Sequence, residues 1–89
     1  MSFRLTVSVP TDQVFAFANQ AERVAGTKPA VLLYSKEEMD GQIEYHLDTH
    51  DDVRRLKVLL RRIGKARQIP LKFRVHEYRY YMGSGDEAA

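Results

Sequence analysis

The sequence predicts an α+β fold in which a four-stranded antiparallel sheet carries two helices on one of its faces. Its 89 residues suffice for one domain with a single hydrophobic core. Four segments alternate apolar and polar residues, as strands buried on one face do, and two segments repeat apolar residues at helical spacing. These segments follow one another in the order βαββαβ, which indicates how the sheet and the helices are connected.

The first strand and the first helix are delimited by proline and glycine. Residues 3–9 alternate strictly between apolar and polar, and Pro10 ends this strand. Thr11 is a candidate N-cap for a helix whose apolar residues recur at helical spacing over 14–25, and Gly26 is expected to stop that helix. A strand and an amphipathic helix are therefore expected in succession.

The second and third strands are expected to form a hairpin. Residues 30–34 are mostly apolar, and strict alternation returns over residues 43–47. Between them, Asp40-Gly41 is a dipeptide favoured in two-residue hairpin turns. We therefore expect the chain to reverse at Asp40-Gly41.

The second helix is the most clearly delimited element. Thr49 is expected as its N-cap, with Asp52 three residues later, and Gly64 is expected just beyond its end. Its buried side is expected to comprise Val53, Leu56, Leu59, Leu60 and Ile63. A fourth strand follows from Leu71 and can run on through Tyr81.

This order of elements is that of the split-βαβ, ferredoxin-like sandwich. Its strands lie in the spatial order 4-1-3-2, so the second and fourth strands form the edges of the sheet. Unprotected edges allow strand exchange or sheet extension between two copies, and a homodimer through the edge strands is one expected assembly. The domain is expected to span residues 1–82, followed by a flexible acidic tail over 83–89.

Composition excludes several kinds of chemistry. The chain has no cysteine, which excludes a disulfide scaffold, a zinc ribbon, iron–sulfur ligation and thiol catalysis. No glycine-rich phosphate loop and no Ser-His-Asp arrangement occurs, so we expect a protein that is not an enzyme and has no cofactor. No signal-peptide core or membrane-length apolar stretch occurs, and we expect a cytoplasmic protein with no membrane partner.

Charge is unevenly distributed along the chain. Residues 1–52 hold four Lys/Arg and nine Asp/Glu, a net charge of −5, whereas residues 53–89 hold ten Lys/Arg and three Asp/Glu, a net charge of +7. Nine basic residues and no acidic one lie between Arg54 and Arg74. Such separation predicts a charged surface suited to a partner, although the total charge is only +2.

The predicted solvent side of the second helix concentrates this positive charge. At helical spacing Val58 lies in the middle of that side, surrounded by arginine and lysine. Because cations so placed neutralise phosphates and release counterions, we expect the helix to bind a DNA or RNA backbone. The residues expected to contact nucleic acid, or an acidic protein in its place, are Arg54, Arg55, Lys57, Val58, Arg61, Arg62, Lys65, Arg67, Lys72 and Arg74.

Two alternatives remain open for this charge. The acidic and basic segments can pair with each other across the fold, which leaves a solvated structural helix. The protein can instead be a protein-binding or inhibitor module, for example a phage-type inhibitor of a host complex, that docks through the basic helix and the last strand. The interface residues expected on that strand are Tyr78, Arg79, Tyr80 and Tyr81.

The sheet face without helices departs from the pattern of RNA-recognition domains that share this topology. Those domains stack bases on aromatic residues of the two central strands. Here the outward positions of the central strands carry Arg4, Thr6 and Ser8 in the first strand and Glu44, His46 and Asp48 in the third. We therefore do not expect bases to be read by the central strands.

Histidines near the end of the third strand are candidate metal ligands. His46, Asp48 and His50 lie at every second position, which on a strand places two imidazoles and a carboxylate on one face. His76 can approach from elsewhere on the sheet, and a metal-assisted or small-molecule enzyme is a third hypothesis. The other interpretation is a solvated polar face.

Overall fold

The fold was analysed in a computed structural model that describes residues 2–35 and 37–78. Its elements are β1 (Ser2–Pro10), α1 (Val14–Ala25), β2 (Val31–Leu33), β3 (Asp40–Leu47), α2 (His50–Arg67) and β4 (Lys72–Tyr78), with a 3-10 turn over Thr11–Gln13 before α1. The predictions that concern Arg79, Tyr80, Tyr81 and the tail over 83–89 lie outside the described residues.

The four strands form one antiparallel sheet in the order β2-β3-β1-β4, which confirms the predicted ferredoxin-like arrangement. Alternate residues of β1 face the two helices, and these side chains, Phe3, Leu5, Val7 and Val9, are buried. They form one core with side chains of β3, α1 and α2, among them Tyr45, Phe17 and Leu60. Neither described helix lies on the opposite face of the sheet, as the alternation predicts.

The predicted turn at Asp40-Gly41 is wrong, because both residues belong to β3 and the chain reverses before Asp40, after β2 has ended at Leu33. Gly41 lies opposite Val9 on the core side of the sheet. A Cβ atom at Gly41 would lie 2.5 Å from Val14 Cγ2 and 2.9 Å from the Leu33 carbonyl oxygen. This glycine is therefore required for close packing of α1 and β2 against β3, and not for a turn conformation.

Thr11 anchors the residues just before β3 instead of capping α1. Its hydroxyl donates a hydrogen bond to the Glu38 carbonyl at 2.6 Å, and its backbone N–H donates to the Met39 carbonyl at 2.8 Å. The residue at the N-cap of α1 is Gln13, which makes no side-chain capping bond. The start of α1 and the β2–β3 connection are thus joined by two hydrogen bonds.

The prediction for the start of α2 is confirmed and that for its end is wrong. The Thr49 hydroxyl oxygen accepts a hydrogen bond from the Asp52 N–H at 3.0 Å, as an N-cap does. The helix continues past Gly64 to Arg67, and Gln68 takes the left-handed conformation with φ of 59°. Gly64 is buried within the helix, where a Cβ would lie 2.6 Å from Leu71 Cδ1. Its role is to leave space for the chain that returns to β4.

Tyr45 contributes the largest fully buried side chain of the core. Its hydroxyl is buried without a hydrogen-bond partner among the described residues. Burial, with a smaller contribution from the charge of Glu22, raises the pKa of Tyr45 to about 12. The ring therefore stabilises the core while its hydroxyl opposes burial.

Tyr45→Phe is expected to raise the free energy of unfolding at neutral pH by about 1 kcal/mol, because it removes an unsatisfied buried hydroxyl and keeps the ring. In the wild type, the unfolded tyrosine ionises near pH 10 and the folded one near pH 12, so stability falls as pH rises between these values. The phenylalanine variant lacks this component, and its advantage should grow above pH 10. Urea unfolding at pH 7 and above pH 10 measures both effects.

The matched control is Tyr34→Phe, since the Tyr34 side chain is 54% exposed and removal of its hydroxyl should leave stability nearly unchanged. A Tyr45→Phe protein less stable than the wild type at pH 7 would show that the hydroxyl has a stabilising partner.

Candidate nucleic-acid interface

One side of α2 is buried and the other is strongly basic. Val53, Leu56, Leu60 and Ile63 pack into the core, which turns the opposite side of the helix to solvent. Leu59, predicted on the buried side, is half-buried. The exposed residues of the opposite side, here called the α2 surface, are Arg54, Arg55, Val58, Arg61, Arg62 and Lys65.

The cations of the α2 surface are mostly without carboxylate partners in the described ranges. Between residues of 2–35 and 37–78 there are two ion pairs, Arg54 with Asp51 inside α2 and Arg4 with Glu44 on the sheet. The acidic residues of the segment that precedes α2 make no ion pair with the α2 surface there. The pairing of the acidic and basic segments is therefore limited, in this part of the chain, to the neighbours Asp51 and Arg54 within α2.

The side chains of Lys57 and Arg61, two of the predicted contact residues, extend from α2 toward β4. The Lys57 ammonium lies 5.9 Å and the Arg61 guanidinium 5.1 Å from the centre of the Phe73 ring. Phe73 is partly buried on the side of β4 that faces the helices. These cation–π contacts bring positive charge to the edge of the sheet.

Arg67 differs from the other predicted contact residues because it joins the two helices. Its Nε–H donates a hydrogen bond to Gln20 Oε1 at 2.5 Å, and its Nη1–H donates to Gln13 Oε1 at 3.2 Å. Both bonds are partly buried. The structure thus places Arg67 in the packing of α2 against α1, outside the α2 surface.

Lys72 and Arg74 lie on the other face of the sheet from α2. They stand opposite Ser8 and Thr6 of β1, whose side chains point away from the helices. Both side chains are exposed. The residues predicted to form one basic site therefore occupy two faces, which meet at β4.

Arg4 is a charged residue of this second face that the sequence analysis did not select as a contact. It lies opposite both His46 and His76 in the strand register. Its guanidinium lies 3.8 Å from a Glu44 carboxylate oxygen and 5.2 Å from the centre of the Tyr78 ring. The strict alternation in β1 predicts that Arg4 points away from the helices. Which residues surround it depends on how β1 pairs with β3 and with β4.

Tyr78 is the one member of the predicted tyrosine-rich interface that the described residues include. Its ring is half-buried and meets the His76 ring edge-on, with 4.4 Å between the centroids. Arg4, Arg74, His76 and Tyr78 therefore share one region of the open sheet face. We call these four residues the open-face cluster.

The α2 surface also contains an apolar groove. Val58 is 46% exposed, and with Leu59 it lines a shallow depression flanked by Arg54 and Arg55. An exposed valine among cations can contact a sugar, a base or an apolar side chain of a partner.

The candidate metal ligands are not brought together. His46 lies exposed in β3, opposite Arg4 on the open face, whereas His50 begins α2 and its ring lies 4.4 Å from the buried Phe3 ring. The alternation that would align them ends with β3 at Leu47, before Asp48. Within residues 2–35 and 37–78 no three His, Asp or Glu side chains are grouped so that they could hold a metal ion.

Among the described helices, neither has the combination of length and apolar character needed to cross a membrane. No protein-family model, curated protein or solved structure matches the chain. The chain is a ferredoxin-like α+β sandwich with a basic helix, and because this fold hosts many functions, its function depends on the chemistry of its own surfaces.

Proposed function

We propose that the protein is a small non-enzymatic binding module whose α2 surface contacts the backbone of a nucleic acid. The observation that carries this proposal is the exposure of five cations on one side of one helix, of which only Arg54 has a carboxylate partner among the described residues. Arginine supplies four of the five, and its planar fork suits phosphate oxygens.

Binding of a polyanion to the α2 surface is favoured by relief of the repulsion between its cations and by counterion release. Cations held on one helix face repel one another, and a polyanion relieves that repulsion while its own condensed counterions are released. The α2 surface has no asparagine, glutamine or acidic side chain to distinguish adenine or cytosine edges, and its arginines and lysine can contact phosphates of any sequence. We therefore expect contacts to phosphates with little dependence on base sequence.

The experiment is a fluorescence anisotropy titration of labelled single- and double-stranded DNA and RNA at several salt concentrations. We expect binding at low salt whose log K falls linearly with log salt, with a slope of about −4.5 on duplex DNA if all five cations contact phosphates. Absence of binding to every nucleic acid at about 50 mM salt would overturn the proposal.

A protein-binding or inhibitor module is the second candidate, favoured by the apolar groove at Val58 and Leu59. An acidic protein that inserts an apolar side chain between Arg54 and Arg55 would use both features of the α2 surface. Val58→Ser separates the two candidates because it keeps every charge. Nucleic-acid affinity should be nearly unchanged in this variant, whereas a protein that fills the groove would lose affinity.

A further inference from the structure

We infer that the nucleic acid is single-stranded, and that it turns around β4 from the α2 surface onto the open-face cluster, where an unpaired base stacks on Tyr78. This inference rests on the proposed function and adds the class of nucleic acid and a second contact region. It is carried by the charge on both sides of β4 and by the surroundings of Tyr78.

Positive charge continues from one face of β4 to the other. On the helix side, Lys57 and Arg61 lie over the ring of Phe73. On the open side, Lys72 and Arg74 flank Phe73 in the chain and point the opposite way. A polyanion that leaves the α2 surface across β4 therefore meets cations on both sides of the strand.

The open face near β4 is also positive. Its cations Lys72 and Arg74 lie two residues apart, about 7 Å along the strand, in a row of outward side chains that ends at Tyr78. The neighbouring strands contribute Arg4, His46 and Glu44, and the carboxylate of Glu44 is already paired with Arg4. Lys72 and Arg74 make no ion pair within the described ranges, so their charge is available to phosphates.

Tyr78 provides a planar group at the end of this row. Arg4 lies over its ring and His76 contacts it edge-on, so two neighbours hold the ring in place. Bases that are not paired stack on aromatic rings and on arginine planes in single-strand complexes. Tyr78 lies on an edge strand, whereas RNA-recognition domains of this topology carry their base-stacking aromatic residues on the two central strands.

A duplex does not fit this path. Its bases are enclosed in the stack, and double-stranded DNA has a persistence length of about 150 base pairs, so a sharp turn around a sheet edge carries a large bending cost. A single strand has free bases and a flexible backbone. The two faces of β4 can therefore be contacted together by a single strand and only one at a time by a duplex.

The test compares a labelled thymidine oligonucleotide of about twenty nucleotides with a duplex of the same length, for wild type and Tyr78→Ala. We expect Tyr78→Ala to weaken single-strand binding by about 5- to 150-fold and to leave duplex binding unchanged, because stacking is lost. Tyr78→Phe keeps the ring and should bind as the wild type does. Tyr34 is an exposed tyrosine that directly follows β2, the strand at the opposite edge of the sheet from β4. Tyr34→Ala is therefore the matched control and should have no effect.

A second variant keeps the inference testable if Tyr78→Ala fails to fold. Arg74→Gln removes one exposed cation of the open-face cluster and should reduce the salt slope of single-strand binding by about 0.7, with the duplex slope unchanged. Equal binding of single strand and duplex with no effect of either variant would overturn the inference and leave the proposed function standing. Failure of every nucleic acid to bind would overturn both.

Discussion

Charge reversal at Arg62 and Lys65 is expected to weaken nucleic-acid binding at least about tenfold and to lower the salt slope on a duplex by about 2. Both side chains are exposed and make no ion pair, hydrogen bond or ring contact with the described residues. They are therefore preferable to Arg54, which is paired with Asp51, and to Arg61, which lies over Phe73. The double variant Arg62→Glu, Lys65→Glu tests the α2 surface with little risk to the fold.

The matched control is the double variant Arg23→Glu, Lys28→Glu. It changes the net charge by the same −4, since each substitution replaces +1 by −1, but it lies at the end of α1 and in the following loop. We expect its affinity to fall less than that of the Arg62→Glu, Lys65→Glu variant, because Arg23 and Lys28 are not members of the α2 surface. Equal losses in the two double variants would show that net charge, and not the α2 surface, determines binding.

Gly41→Ala is expected to lower the free energy of unfolding by about 2–3 kcal/mol, the largest stability effect of the changes considered. The added methyl would approach the Leu33 carbonyl oxygen to 2.9 Å, and backbone cannot rotate away as a side chain can. Val14 Cγ2 and the Tyr34 Cβ close the remaining space. In a domain of this size the melting temperature should fall by about 10–20 °C, measured by circular dichroism.

Gly26→Ala provides the comparison, because Gly26 has the left-handed φ of 71° at the end of α1 but no atom within 4 Å of an added Cβ. Its expected loss is about 1 kcal/mol, from backbone conformation alone. A Gly41→Ala protein as stable as the wild type would show that β2 and α1 are not held against β3 as closely as described.

The arrangement of elements was predictable because it depends on local periodicity. Alternation in β1 and β3 and helical spacing in α1 and α2 specify which faces are buried, and the observed core at Leu5, Tyr45 and Leu60 follows from them. Two of the wrong predictions concern glycine. Sequence alone does not separate a glycine that supplies a turn from one that supplies space, and Gly41 and Gly64 are of the second kind.

The residues of the candidate site could be predicted from the sequence only where they belong to a single helix or strand. Helical periodicity identifies the α2 surface, because Arg62 and Lys65 must oppose the buried Leu56 and Ile63. The bonds of Arg67 to α1 and the proximity of Arg4 to Tyr78 depend on contacts between distant segments, which one sequence does not reveal. Lys72 follows α2 closely in the chain but lies on the opposite face of the sheet.

The cations of β4 also affect whether copies of the protein adhere to one another. No strand of the described residues pairs with the outer edge of β4, and such an edge can template an added strand and start aggregation. Lys72 and Arg74 would lie close to the same residues of a second copy, so electrostatic repulsion disfavours strand pairing between copies at this edge at neutral pH. A single strand that turns around β4 would neutralise these cations but would also cover the edge itself. Saturation with short oligonucleotides should therefore leave this edge closed to a second copy, and the protein should stay as soluble with its ligand as without it.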